Sequence, residues 1–92
     1  MISKEIMRAI STGKVLFGYK MAIKKVKEAK AFIISRDCPK KNEIMEIASD
    51  KPIYLYKGNN IELGAACGKP FGVSVLTIID EGKSNIMNII KG

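Results

Sequence analysis

Apolar and polar positions alternate between two rhythms along this 92-residue chain. Ile6, Met7 and Ile10 recur at helical spacing between a cap at Ser3 and a stop at Gly13, which predicts a first helix. Val15-Leu16-Phe17 then reads as a short strand. Gly18 opens a second helix whose buried stripe is Met21, Ala22, Val26 and Ala29, with Lys20, Lys24 and Lys27 on another face. Ala31–Ser35 is an apolar run of strand length, the pattern of a strand covered on both faces. Asp37 and Pro39 read as the cap and first turn of a third helix with Ile44, Met45 and Ala48 inward. After the break at Asp50-Lys51-Pro52 come a strand at Ile53–Tyr56, the most strand-like segment at Val73–Ile79, and a final helix. Ser84 caps that helix, which carries Ile86, Met87, Ile89 and Ile90.

Between the last two strands lies Gly58-Asn59-Asn60-Ile61-Glu62-Leu63-Gly64-Ala65-Ala66-Cys67-Gly68-Lys69-Pro70-Phe71-Gly72. Asn59 and Glu62 stand at capping-box spacing, so a helix starts near Asn60. Gly68 supplies the left-handed residue that ends it, and Pro70 prevents its continuation. Lys69 and Phe71 are left on an irregular loop, where the ring either swings inward to the core or stays displayed for a base to stack on. A cation beside a displayed ring suits a ligand that is both anionic and flat, and RNA is one.

Strands alternating with helices predict an α/β fold: one three-layer α/β/α domain, residues 1–92, on a four-stranded sheet. Loops after parallel strands fall on one sheet edge, where ligands usually bind. Gly18–Lys20 and Arg36–Asp37 share that edge. The Lys69–Gly72 loop precedes its strand, so it joins them only if the last strand is antiparallel.

Composition narrows the function classes. The net charge is +7, and residues 1–30 hold eight basic against two acidic residues, while the remainder holds eight against seven. A basic first third is the footprint of a polyanion-binding face, set against the plainer reading of a solvated basic surface. Apolar runs fall far short of the ~20 residues a membrane span needs. Met1–Ile10 carries charge on a helical pattern, not the apolar core of a leader. The expectation is a soluble, cytoplasmic protein without a membrane partner. Cys38 and Cys67 are far apart, with no CxxC and no histidine, so zinc is poorly supported and two reduced thiols are expected. No Ser or Cys stands near a base, so neither catalysis nor a cofactor is expected.

Three motifs set a glycine beside or near a cation. Gly64-x-x-x-Gly68-Lys69 fails the spacing of a phosphate-binding loop, and Pro70 stands where the metal-binding hydroxyl would be. Gly18-Tyr19-Lys20 is either a routine helix start or one that favours an anion through free backbone N–H groups, and Lys20 can donate to guanine or to phosphate. Gly13-Lys14 adds a second close-approach glycine with a cation.

The segments TGKVLFGYK, GNNIELGAACGKPFGVSV and IIDEGKSNI closely resemble the ribosomal L30e family, part of the kink-turn RNA-binding superfamily that includes L7Ae; the resemblance spans residues 4–90. It implies a mixed four-stranded sheet with an antiparallel last strand. The implied role is a non-catalytic constituent of the large ribosomal subunit, active in translation. Such a protein grips a kink-turn, a sharply bent internal loop with tandem sheared G·A pairs. Its implied partners are rRNA and neighbouring ribosomal proteins, and the free chain is expected to be a monomer. By the same resemblance Gly18, Tyr19 and Lys20 meet the G·A pairs, Gly13 and Lys14 flank the same groove, and Phe71 packs on an extruded base. Lys69, Pro70, Gly72 and Val73 shape that contact. Asp37 stands where the family commonly has Asn; it either accepts from a guanine N1/N2 edge or yields the contact to Arg36. The alternatives are a kink-turn protein of a non-ribosomal ribonucleoprotein, and a small metabolite-binding or enzymatic α/β domain.

Overall fold

The computed structural model describes residues 2–48 and 50–91. Met1, which opens the segment inspected for a leader, lies outside them. Nine elements follow in order: α1 (Ile2–Thr12), β1 (Lys14–Phe17), α2 (Tyr19–Lys24), β2 (Ala31–Ile34), α3 (Lys41–Ile47), β3 (Ile53–Leu55), α4 (Asn60–Ala66), β4 (Val75–Asp80) and α5 (Ile86–Lys91).

The strand order is β1-β4-β2-β3. β2 and β3 are parallel, whereas β4 runs antiparallel to both β1 and β2. The condition set by the sequence, an antiparallel last strand, is therefore met. All four residues of β2 are buried, and their side chains split between two cores as strand geometry requires. Ala31 and Ile33 join Ile6, Ala9, Leu63, Leu76, Ile78 and Ile86 beneath α1, α4 and α5. Phe32 and Ile34 join Ala22, Ile44, Ala48 and Val75 beneath α2 and α3. Three α/β/α layers result. Each large apolar side chain sealed into them contributes about 1.5–3 kcal/mol of transfer free energy.

Several helix boundaries differ from expectation. Ser3 lies inside α1, whose first residue is Ile2, and not before it. α2 ends at Lys24, so Val26 and Ala29 reach the core from the turns that follow it. α3 starts at Lys41, beyond two successive turns, and Asp37 is not its cap. Met7 and Met45 are both exposed. Ser84 does stand before α5, its hydroxyl accepting the Ile86 N–H at 3.4 Å and donating to the Glu81 carbonyl at 2.7 Å. Among the described residues, no helix is long and apolar enough to cross a membrane.

Candidate nucleic-acid interface

Because β4 returns antiparallel, its start lies beside the ends of β1 and β2, with Phe17 opposite Leu76 and Ile34 opposite Val75. Three connections meet there: the β1–α2 turn, the β2–α3 loop, and the segment from α4 into β4.

Gly18 makes the first turn possible. Its φ of 97° is open to glycine and strained for any other residue, and a side chain placed on it would meet nothing within 4 Å. The Gly18 N–H is not free, since it donates to the Val75 carbonyl at 3.0 Å. What glycine supplies is a bare stretch of backbone open to solvent. Tyr19 follows, half-buried, its hydroxyl donating to Glu43 Oε2 at 2.6 Å. That bond to a carboxylate raises the phenol pKa, with partial burial adding to it. The Lys40 ammonium sits 5.5 Å from the Tyr19 ring centre and 3.8 Å from Glu43. Lys20 is exposed on the outer side of the turn.

The second component depends on how α4 begins and ends. The capping box forms in both directions: the Glu62 N–H donates to Asn59 Oδ1 at 2.9 Å, and the Asn59 N–H donates to Glu62 Oε1 at 3.0 Å. Gly68, at φ 75°, turns the chain out of the helix, and the Lys69 N–H returns to the Gly64 carbonyl at 2.9 Å. The loop then lies directly on the helix, because a Cβ on Gly64 would stand 2.0 Å from the Phe71 carbonyl oxygen. Pro70 and Gly72 are exposed, and Phe71 is 56% exposed. Lys69 holds its ammonium 5.0 Å from the centre of the Phe17 ring, a cation–π distance. Val73 is buried: its side chain enters the core, and its N–H donates to the Asn60 carbonyl at 2.9 Å.

Between these parts lies an open cavity of about 310 Å³, lined by Phe17, Gly18, Tyr19, Lys40, Phe71 and Gly72 among others. The third connection borders it. Arg36 is exposed and is anchored by its backbone N–H to the Gly58 carbonyl at 2.9 Å. Asp37 Oδ1 accepts from the Ser35 hydroxyl at 2.9 Å and from the Asn60 N–H at 2.8 Å. Its Oδ2 accepts from Asn60 Nδ2 at 2.7 Å. Desolvation alone would raise the Asp37 pKa, but these hydrogen bonds together outweigh it and leave the carboxyl below its ordinary value.

Gly13 and Lys14 do not reach this edge. Lys14 pairs with Asp80, at the opposite end of β4 from the Val75 that holds Gly18. Five residue steps along β1, about 16 Å, separate the two glycines. Gly13 instead admits the β4–α5 turn, since a Cβ there would lie 2.1 Å from the Asp80 carbonyl oxygen. Sequence reasoning also passed over Asn60, Gly64, Lys40 and Glu43. Gly64 alone carried a signal, as a glycine inside a helix usually marks a close approach. Both thiols are free and buried, Cys38 against the cavity, and burial pushes Cys67 up to about 11.

Comparison with known proteins agrees with this layout. The profile of the family described as "Ribosomal protein L7Ae/L30e/S12e/Gadd45 family" matches residues 1–88. The chain belongs to this family. A "Large ribosomal subunit protein eL30" of Methanocaldococcus jannaschii is 42% identical over 96 aligned positions, covering 98% of this chain and 87% of that protein. The protein of the same name from Saccharolobus solfataricus is 45% identical, covering 95% and 86%. The solved structure of a protein with unknown function from Bacillus halodurans C superposes with a TM-score of 0.79 at 21% identity, covering 99% of this chain and 96% of that one. That likeness speaks to the L7Ae/L30e fold alone.

Proposed function

We propose that this protein is a non-catalytic constituent of the large ribosomal subunit that binds and stabilises a kink-turn in rRNA. The observation that carries the reading is the convergence of the bare Gly18 turn and the exposed Phe71 ring on one basic edge, in a chain over 40% identical to eL30 proteins. Each part has a physical task. The open backbone at Gly18 lets a sharply bent RNA strand come close, and Lys20 and Arg36 supply charge for phosphate or guanine acceptors. Phe71 offers a face for an unstacked base, the usual route to sequence-tolerant affinity for non-duplex RNA. Lys69 over Phe17 and Lys40 over Tyr19 set two further cations at the rim of the cavity. Pro70 and Gly72 fix the path of the loop that carries the ring. Phosphate attraction provides much of the affinity, so binding weakens as salt rises.

In this reading the protein works on the cytoplasmic ribosome during translation, against rRNA and adjacent subunit proteins, and is a monomer when free. Lys20→Ala and Phe71→Ala are each expected to weaken binding to a kink-turn RNA by roughly 1–3 kcal/mol, the worth of one good base contact or stack. Titration of both variants by fluorescence anisotropy tests this. Wild-type affinity in both would overturn the assignment.

A further inference from the structure

We infer that Asp37 is a positioning residue: acting through Asn60, it latches the loop that presents Phe71 and does not itself meet the RNA. The inference rests on the RNA reading above and concerns how that site is held in shape.

A carboxylate is an acceptor only, with about four lone-pair directions. Protein donors fill three of them at Asp37: the Ser35 hydroxyl, the Asn60 N–H and Asn60 Nδ2, all within 2.9 Å. Ser35 is fully buried at the end of β2, so the carboxylate is anchored to the sheet. Asn60 is the first residue of α4, where backbone N–H groups lack helical partners and an anion is favoured. The far side of Asn60 faces the loop. Its carbonyl accepts the Val73 N–H at 2.9 Å, and its Oδ1 lies so close over Gly72 that a Cβ there would come within 1.9 Å. Every polar group of Asn60 is thereby placed between Asp37 and the segment beside Phe71. The other end of the loop is held by the Lys69 N–H on the Gly64 carbonyl. The ring itself projects outward, so its direction depends on these two anchors.

The alternative, direct reading of a base by Asp37, is physically poorer. The carboxylate has no proton to donate, one lone-pair direction left, and a charge that repels nearby phosphates.

Two measurements test the latch. In the free protein, amide hydrogen exchange at Val73 is compared among wild type, Asp37→Ala and the isosteric Asp37→Asn, which keeps one acceptor oxygen. Exchange is expected to accelerate roughly ten-fold in the alanine variant and less in the asparagine variant. Unchanged exchange in both would overturn the latch. With a kink-turn RNA, a double-mutant cycle then pairs Asp37→Ala with Phe71→Ala. Each single change is expected to weaken binding roughly 5- to 150-fold, and the double variant to stay within about three-fold of Phe71→Ala alone. Wild-type affinity in Asp37→Ala, or a loss that persists undiminished in the Phe71→Ala background, overturns the inference. If wild type ignores the kink-turn altogether, the RNA reading fails, and Val73 exchange still decides the latch.

Discussion

Gly64→Ala places fold and site in direct conflict. In an exposed helix interior this change is favourable by about 0.8–1 kcal/mol, because alanine loses less backbone freedom. Here the new Cβ would stand 2.0 Å from the Phe71 carbonyl oxygen and 3.1 Å from its carbonyl carbon. Backbone cannot rotate away as a side-chain tip can, so the loop must retreat by about an ångström; overpacking of this kind costs about 1–3 kcal/mol. Retreat also lengthens the Lys69 N–H bond to the Gly64 carbonyl, 2.9 Å in the native chain, and a hydrogen bond is worth about 1 kcal/mol net. Subtracting the propensity gain leaves a destabilisation of about 1–3 kcal/mol. For a domain of this size that lowers Tm by roughly 4–20 °C. Because the displaced segment carries Phe71, RNA affinity is expected to fall with stability. Urea denaturation followed by circular dichroism, with an RNA titration on the same sample, reads both. A variant more stable than wild type with full affinity would refute the argument that the loop is seated on Gly64.

Other perturbations isolate single causes. Thr77 is fully buried and its hydroxyl has no hydrogen-bond partner among the described residues, so the near-isosteric Thr77→Val is expected to raise stability by about 1 kcal/mol; a loss in chemical denaturation would refute this. Gly18→Ala meets no atoms but must adopt φ 97°, so it is expected to cost about 1–3 kcal/mol from backbone strain alone. An unchanged denaturation midpoint would contradict that. The folded-state pKa values of Asp37 and Glu81 are depressed, by the hydrogen bonds to Asp37 and by the Lys30 ammonium at Glu81. Their contributions are complete above the ordinary carboxylate range and are lost as pH falls through the folded-state values. With no histidine in the chain, stability is expected to be flat from pH 5 to 8 and to drop below about pH 4. In Asp37→Asn the acid-side drop is expected to be shallower.

What the sequence revealed and what it hid follow a physical line. Local rules were legible: the buried run at β2, the Asn59–Glu62 capping box, the Gly68 stop and the exposed Phe71 ring all depend on neighbours a few residues away. Topology was legible only as a condition, the antiparallel β4, which the resemblance supplied and the strand pairing met. The misreadings of Asp37, Gly13 and Lys14 share one cause, a partner distant in sequence. Asp37 has the composition of a helix cap, yet its donors come from Asn60, 23 residues on. Gly13 and Lys14 look like companions of Gly18 in the chain, but a strand carries them to the far edge. Val73 lies two residues past Phe71, and its N–H is held by the Asn60 carbonyl while its side chain enters the core. Met7 and Met45 fit an apolar stripe by period, yet both side chains are exposed.

The central claim is recognition of bent RNA by the Gly18–Phe71 edge. Its most direct test is a paired titration at one fixed salt concentration, against a kink-turn RNA and the same RNA with Watson–Crick pairs replacing its G·A pairs. The account requires tight binding to the first and only weak, salt-sensitive binding to the second. Equal affinity for both would reduce the protein to a basic surface and contradict the account.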